Sequence, residues 1–115
     1  GCGTGALAVE AAHRGADVLA TDIAPTLVGI AADRLPQALG AGRIAFRVGD
    51  MLDPAHGEFD HVVAMDSLIH YEAADIVSAL ATLAARTRGS IVFTFAPRTH
   101  LLSVMHAVGK LFPRG

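Results

Sequence analysis

Apolar and polar positions along this chain fall into short blocks with two different periods, one of two residues and one of three to four. Residues 6–12, Ala-Leu-Ala-Val-Glu-Ala-Ala, are good helix formers and predict a helix over about 5–13, with Gly15 as its C-cap glycine. Residues 17–21 read as a strand that ends at Asp22. Pro25 suits the first turn of a second helix, whose apolar face is Leu27, Val28, Ile30, Ala31 and Leu35 and which Pro36 ends. Residues 43–48 alternate, and Arg43 and Arg47 share one wet face, as on an edge strand. Residues 59–65 predict a buried strand ending at Asp66. A helix follows over about 72–86, with Ala73, Ile76, Val77, Leu80, Leu83 and Ala84 at helical spacing. Gly89 is expected to break it before a strand at 90–95, which Pro97 stops. A last helix over roughly 99–111 places Leu101, Leu102, Met105, Val108 and Phe112 on one side. Strands alternating with helices predict an α/β protein with a doubly wound, mostly parallel sheet.

Composition sharpens this picture. At 115 residues the chain is at most one small domain, and 52% hydrophobic residues suffice for a core. No apolar run is long enough to span a bilayer. One cysteine excludes an internal disulfide and suits a reducing compartment, so a cytoplasmic location is expected. A net charge of −2 argues against a nucleic-acid partner. All eleven acids lie at or before Asp75, whereas residues 76–115 carry Arg86, Arg88, Arg98, Lys110 and Arg114. That basic end suits an anionic substrate or an anionic membrane surface.

The candidate chemistry is gathered at strand ends. Gly1-Cys2-Gly3-Thr4-Gly5 opens the first helix, where dense glycines admit positive φ and a close ligand approach. The helix N-terminus adds unpaired N–H groups that suit an anion. Asp22 then stands where an acid can accept hydrogen bonds from the ribose hydroxyls of a nucleotide cofactor. Gly1, Gly3 and Ala6 also satisfy the dinucleotide fingerprint, which keeps an NAD-dependent oxidoreductase open. Asp50-Met51 can frame an adenine ring, the carboxylate or an N–H meeting its amino edge and the thioether packing on its face. Asp66 and Ser67 end the next strand and are expected to line the same pocket or bind a ligand amine. A loop of this kind follows a strand, so one is expected ahead of Gly1, between the second and fourth strands of the sheet. The chain accordingly reads as part of a longer protein whose first and last strands lie outside it, and the isolated piece is expected to fold poorly.

The series Gly-Cys-Gly-Thr-Gly, Asp22-Ile23, Gly49-Asp50-Met51 and Phe59-Asp60 resembles the motifs of class I methyltransferases that use S-adenosylmethionine. The resemblance implies that Gly1, Cys2 and Gly3 meet the methionine end, Asp22 the ribose, and Asp50 and Met51 the adenine, with Ile23 as a further cofactor-binding residue. A narrower resemblance lies in Met65-Asp66-Ser67-Leu68-Ile69-His70-Tyr71, in residues 93–99 and in residues 109–115. These are similar to magnesium-protoporphyrin IX O-methyltransferases of chlorophyll and bacteriochlorophyll synthesis. The implied reaction methylates a porphyrin propionate to the monomethyl ester, with magnesium present only as part of the substrate. Implied partners are the Mg-porphyrin itself and a magnesium chelatase that delivers it.

Methyl transfer from a sulfonium to a carboxylate cancels two charges, so alignment and exclusion of water supply much of the rate. A propionate with a pKa of roughly 4–5 is already ionised at neutral pH, and a strong base is not needed. His70, four residues after Asp66, is the catalytic candidate, to orient the propionate or take its proton if burial raises its pKa. Tyr71 and Arg98 are the substrate-binding candidates, with Lys110 and Arg114 as further propionate partners. Residues 98–115 form a basic, apolar element on the substrate side that also suits peripheral membrane contact. His13, His56, His61 and His100 show no metal-ligand spacing, so no protein metal site is expected; His106 is grouped with them, with ligation of the substrate's magnesium as the alternative. Two further alternatives are a methyltransferase for another small anion and a cofactor-binding subunit without turnover.

Overall fold

The computed structural model describes residues 1–69 and 71–94. The expected last helix, Phe95, His70, Arg98, Lys110 and Arg114 lie outside them. In chain order the elements are α1 (Ala6–His13), β1 (Asp17–Asp22), α2 (Pro25–Asp33), β2 (Arg43–Val48), a 3-10 turn (Pro54–His56), β3 (Phe59–Ala64), α3 (Ala73–Ala84) and β4 (Thr87–Phe93).

Local chemistry explains most boundaries. Helix α1 ends in a Schellman arrangement: Gly15 N–H donates to the Ala12 carbonyl at 2.9 Å and Ala16 N–H to that of Ala11 at 3.1 Å, with Gly15 at φ 97°. Pro25 occupies the first turn of α2, as its fixed φ favours. Gly5, at φ 87°, turns the loop into α1, and a Cβ there would stand 3.1 Å from Ala31 Cβ and 3.3 Å from the Phe46 ring. Both conformation and space therefore demand glycine at this point.

Strands β1 and β2 pair in parallel from Asp17 opposite Arg43 to Asp22 opposite Val48. Arg43 and Arg47 are exposed as expected, Arg43 bonding Asp17 at 3.2 Å. The face carrying Ala20 and Phe46 instead meets α1 and α2, which bury Ala8, Ala12, Val28 and Ala31. Strands β3 and β4 also pair in parallel, with Ala79 and Leu83 of α3 buried beside them.

Two expectations, on the third helix and on Gly89, need correction, whereas the sheet fits its expectation. Among the described residues the strands form two parallel pairs, as a doubly wound sheet does when the strand expected between them lies outside this chain. The pairs meet through the glycine loop instead of a ladder: Cys2 N–H donates to the Thr21 carbonyl at 2.8 Å and the Gly1 nitrogen to Ser67 Oγ at 2.9 Å. Helix α3 keeps the expected stripe through Ile76, Leu80 and Leu83, but Val77 is 68% exposed, Ala73 and Ala84 are exposed as well, and Ala79, not among the expected positions, is buried with Leu83.

Finally, Gly89 does not break the helix but sits inside β4, at a bulge. Phe59 faces Thr87 and His61 faces Ser90, so β4 carries one extra residue there. A Cβ on Gly89 would stand 2.6 Å from the Asp60 carbonyl oxygen and 2.8 Å from the His61 ring. Only glycine fits so close a backbone approach.

Candidate functional site

A crevice of about 250 Å³ opens at the carboxyl ends of β1, β2 and β3. Its walls come from three successive strand ends: Asp22 and Ile23, then Gly49, Asp50 and Met51, then Asp66 and Ser67. Gly1 and Tyr71 complete it. Of the expected cofactor residues, Gly1, Asp22, Ile23, Asp50, Met51 and Asp66 thus come together, with Tyr71 from the expected substrate side. Cys2 and Gly3 belong to the same loop but do not line the crevice. Gly49 contributes backbone to the wall, which its place in the Gly49-Asp50-Met51 run signals.

Asp22 is the buried charge of the site, 8% exposed. Its Oδ2 accepts from Gly3 N–H at 3.0 Å and its Oδ1 from Ala24 N–H at 2.9 Å. Burial alone would raise its pKa, but the Ala24 and Gly3 N–H groups outweigh that and hold the carboxyl below its ordinary value. The carboxylate therefore shapes the glycine loop as well as facing the crevice. Each oxygen retains acceptor capacity beyond these bonds, since an ionised carboxylate offers about four lone-pair sites. Spacing alone gave no sign of the bond to Gly3.

Cys2 is half-buried, and burial followed by the charge of Asp22 pushes its thiol pKa up. It stays protonated near neutrality, which suits a small loop residue rather than a nucleophile. Gly1 leaves little room: a Cβ would lie 3.2 Å from Ser67 Oγ and 3.5 Å from Asp22 Oδ2.

Asp66 adopts φ 55°, the one non-glycine residue with positive φ among those described. Aspartate tolerates this left-handed conformation better than most residues, at some cost. Thr94, just past β4, braces it. Asp66 N–H donates to Thr94 Oγ1 at 2.7 Å, and that hydroxyl reaches Asp66 Oδ1 at 3.2 Å. Thr94 is a residue that sequence reasoning missed, because the two positions are 28 apart.

The turn carrying Asp50 is held differently. Asp50 Oδ1 accepts from Leu52 N–H at 2.9 Å. The Asp50 carbonyl accepts from Asp53 N–H at 3.1 Å and meets His56 Nε2 at 2.7 Å. His56 Nδ1 in turn faces Arg47 Nη1 at 3.0 Å. A guanidinium only donates and a carbonyl only accepts, which fixes His56 as the neutral Nε2–H tautomer.

The described part of the basic end serves internal partners rather than an anionic ligand. Arg86 bonds the carbonyls of Met51 and Asp53, and Arg88 pairs with Glu58 at 3.2 Å and Asp60 at 3.6 Å. A second hollow of about 370 Å³ adjoins Tyr71, but Glu72 and Asp75 on its rim make it unsuited to propionates. Among the described residues no three His, Cys, Asp or Glu side chains are grouped to hold a metal, and no helix is long and apolar enough to cross a membrane.

A glycine loop, a buried acid at the end of β1 and a crevice across successive strand ends form an arrangement whose chemistry suits a nucleoside in an α/β protein. The family profile described as methyltransferase domain matches residues 1–89, and the chain belongs to this family. A second profile, magnesium-protoporphyrin IX methyltransferase C-terminus, matches residues 64–115. The magnesium-protoporphyrin O-methyltransferase of Rhodobacter capsulatus is 59% identical over 99% of this chain and 50% of its own length. The enzyme of that name from Synechocystis is 37% identical over 98% of this chain and 49% of its own. The crystal structure of magnesium protoporphyrin IX methyltransferase from Synechocystis PCC 6803 with bound SAH superposes with a TM-score of 0.80 at 33% identity, covering 100% of this chain and 52% of that one. The chain thus spans about half the length of these relatives and has the Rossmann-like class I methyltransferase fold.

Proposed function

We propose that the full-length protein transfers a methyl group from S-adenosylmethionine to a propionate carboxylate of Mg-protoporphyrin IX, giving the monomethyl ester in chlorophyll or bacteriochlorophyll synthesis. The observation that carries this reading is the 59% identity, over 99% of the chain, to a protein of that activity. The crevice fits the donor on its own chemistry. It offers a buried carboxylate for paired hydroxyls, and Ile23, 78% exposed at its edge, offers an apolar surface for a ring.

When bound, S-adenosylmethionine supplies a methyl carbon made electrophilic by its sulfonium. Asp22 accepts the ribose hydroxyls through the lone pairs left beside its bonds to Gly3 and Ala24. The second oxygen of Asp50, or Met51 N–H, meets the adenine amino edge, while Ile23 and Met51 pack on the ring. The Gly1–Gly3 loop lies along the methionine end, and Asp66 faces its amine. His70 orients the propionate behind the methyl carbon; Tyr71 and Arg98 hold the porphyrin. Closure of the site around these groups removes the water that would stabilise the separated charges. A magnesium chelatase supplies the metalloporphyrin in this reading. The protein works in the cytoplasm, with residues 98–115 resting on an anionic membrane surface.

The test is incubation of the full-length protein with labelled S-adenosylmethionine and Mg-protoporphyrin IX, followed by mass analysis of the porphyrin. Addition of one methyl is expected; an unmodified porphyrin in the presence of bound donor refutes the assignment. His70→Ala should reduce turnover at least about a hundredfold and change donor affinity little. Equal losses in both would make His70 structural.

A further inference from the structure

Arg86 lies between α3 and β4, far in sequence from the crevice, and its side chain crosses to the turn that forms one wall. Nη1 donates to the Asp53 carbonyl at 2.6 Å, and Nη2 donates to the Met51 carbonyl. Its main chain is anchored as well: Arg86 N–H donates to the Leu83 carbonyl at 3.2 Å, and the Arg86 carbonyl accepts from Phe59 N–H at 2.9 Å. Nε is buried without a partner. Leaving one donor of a half-buried arginine unmatched costs free energy, which the bonds of its two terminal nitrogens to the turn offset. A fixed guanidinium that grips two carbonyls of one short turn removes much of that turn's freedom.

The turn is the segment whose Asp50 and Met51 line the crevice. We propose that Arg86 is a positioning residue for recognition of the nucleobase: by holding the carbonyls of Met51 and Asp53 it fixes the Asp50–Met51 turn, and so sets selectivity for a purine bearing an exocyclic amino group. The inference rests on the reading that this crevice takes the adenosyl part of the methyl donor. Arg86 touches neither the base nor the reacting atoms. It acts through the main chain of Met51, and His56 supports the same turn through the Asp50 carbonyl.

A suitable readout is a ratio that mere loss of folded protein does not move. Full-length wild type is titrated calorimetrically with S-adenosylhomocysteine and with S-inosylhomocysteine, in which an oxo group replaces the amino group. Wild type should prefer the adenosyl compound by about tenfold or more, because a site built to accept from an amino group is left mismatched by an oxygen. Arg86→Met, which keeps length but removes both donors, should shrink that preference to within about threefold. Arg86→Lys, able to serve the carbonyls with a single ammonium, should fall between, and it decides the matter if the methionine variant does not fold.

An unchanged preference in the variant that folds, whether or not both affinities fall together, overturns the proposal and leaves Arg86 a structural residue. Equal binding of the two compounds by wild type overturns it too, since the turn would not read the amino edge. Wild type that binds neither compound removes the donor assignment beneath it.

Discussion

Two loops wall the crevice, and they are secured in opposite ways. The glycine loop is held from within by Asp22, a buried carboxylate that takes one main-chain N–H from Gly3 and one from Ala24. The Asp50 turn has its own bond from Leu52 N–H to Asp50 Oδ1, but it is held in addition by Arg86 and His56 gripping its carbonyls. In the first the side chain that faces the crevice is the main brace of the loop. In the second Arg86 and His56 do not line the crevice, and their loss leaves the lining residues chemically intact. Damage to Asp22 should therefore strike folding and ligand together, whereas damage behind the Asp50 turn should strike ligand more than folding.

The largest expected effect is that of Asp22→Ala. It strands two main-chain donors that now meet an ionised acceptor, and should destabilise the full-length protein by about 2–4 kcal/mol in denaturant titration. Affinity for S-adenosylhomocysteine should fall about a hundredfold in the same variant. A loss below about 0.5 kcal/mol, within the range of ordinary surface changes, would break the contrast. The carboxylate also predicts a pH dependence. Its folded pKa is depressed, so its stabilisation is complete above the unfolded value of about 3.9 and fades as pH falls through the lower folded value. Asp22→Asn should flatten that acid limb of the stability curve.

Gly5→Ala comes next. It places a Cβ at φ 87° against Ala31 and Phe46, and should cost about 2 kcal/mol in thermal unfolding, with ligand affinity following stability. His56→Ala should sharpen the opposite side of the comparison. Global stability should drop by only about 1 kcal/mol, while S-adenosylhomocysteine binds several-fold more weakly by calorimetry. The smallest effect belongs to Arg43→Ala. Its ion pair with Asp17 joins two side chains 80% and 73% exposed, and removal should shift stability by no more than about 0.5 kcal/mol.

The same contrast explains what was legible in the chain. Local pattern and propensity located every described strand and α-helix, although β4 begins at Thr87, three residues ahead of its expected start. Asp22, Asp50 and Asp66 were found from their places at strand ends, which a parallel sheet aligns on one rim. Arg86, His56 and Thr94 were not found in these roles. Arg86 and Thr94 act across 28 to 35 residues of sequence, His56 acts on a carbonyl that looks the same in any residue, and no spacing rule covers either case. Ala79 escaped for another reason: Ala73 and Ala84 were placed on the apolar face of the helix, and a methyl group does not by itself tell which alanine packs inward. Gly89 was read as a stop because glycine ends helices and fills bulges alike; only the carbonyl of Asp60 pressing on it tells the two apart.

The surplus residue beside Gly89 is absorbed within the bulge, and everything downstream keeps its register with β3. Ile91 and Phe93 are half-buried while Val92 between them is 54% exposed. Deleting Gly89 would leave a regular ladder, Thr87 with Phe59, Arg88 with Asp60 and Ser90 with His61, so the outer half of β4 would keep its inward and outward faces. Thr94 would stay beside Asp66, and a single codon's loss so far from the rim would leave the strained aspartate braced.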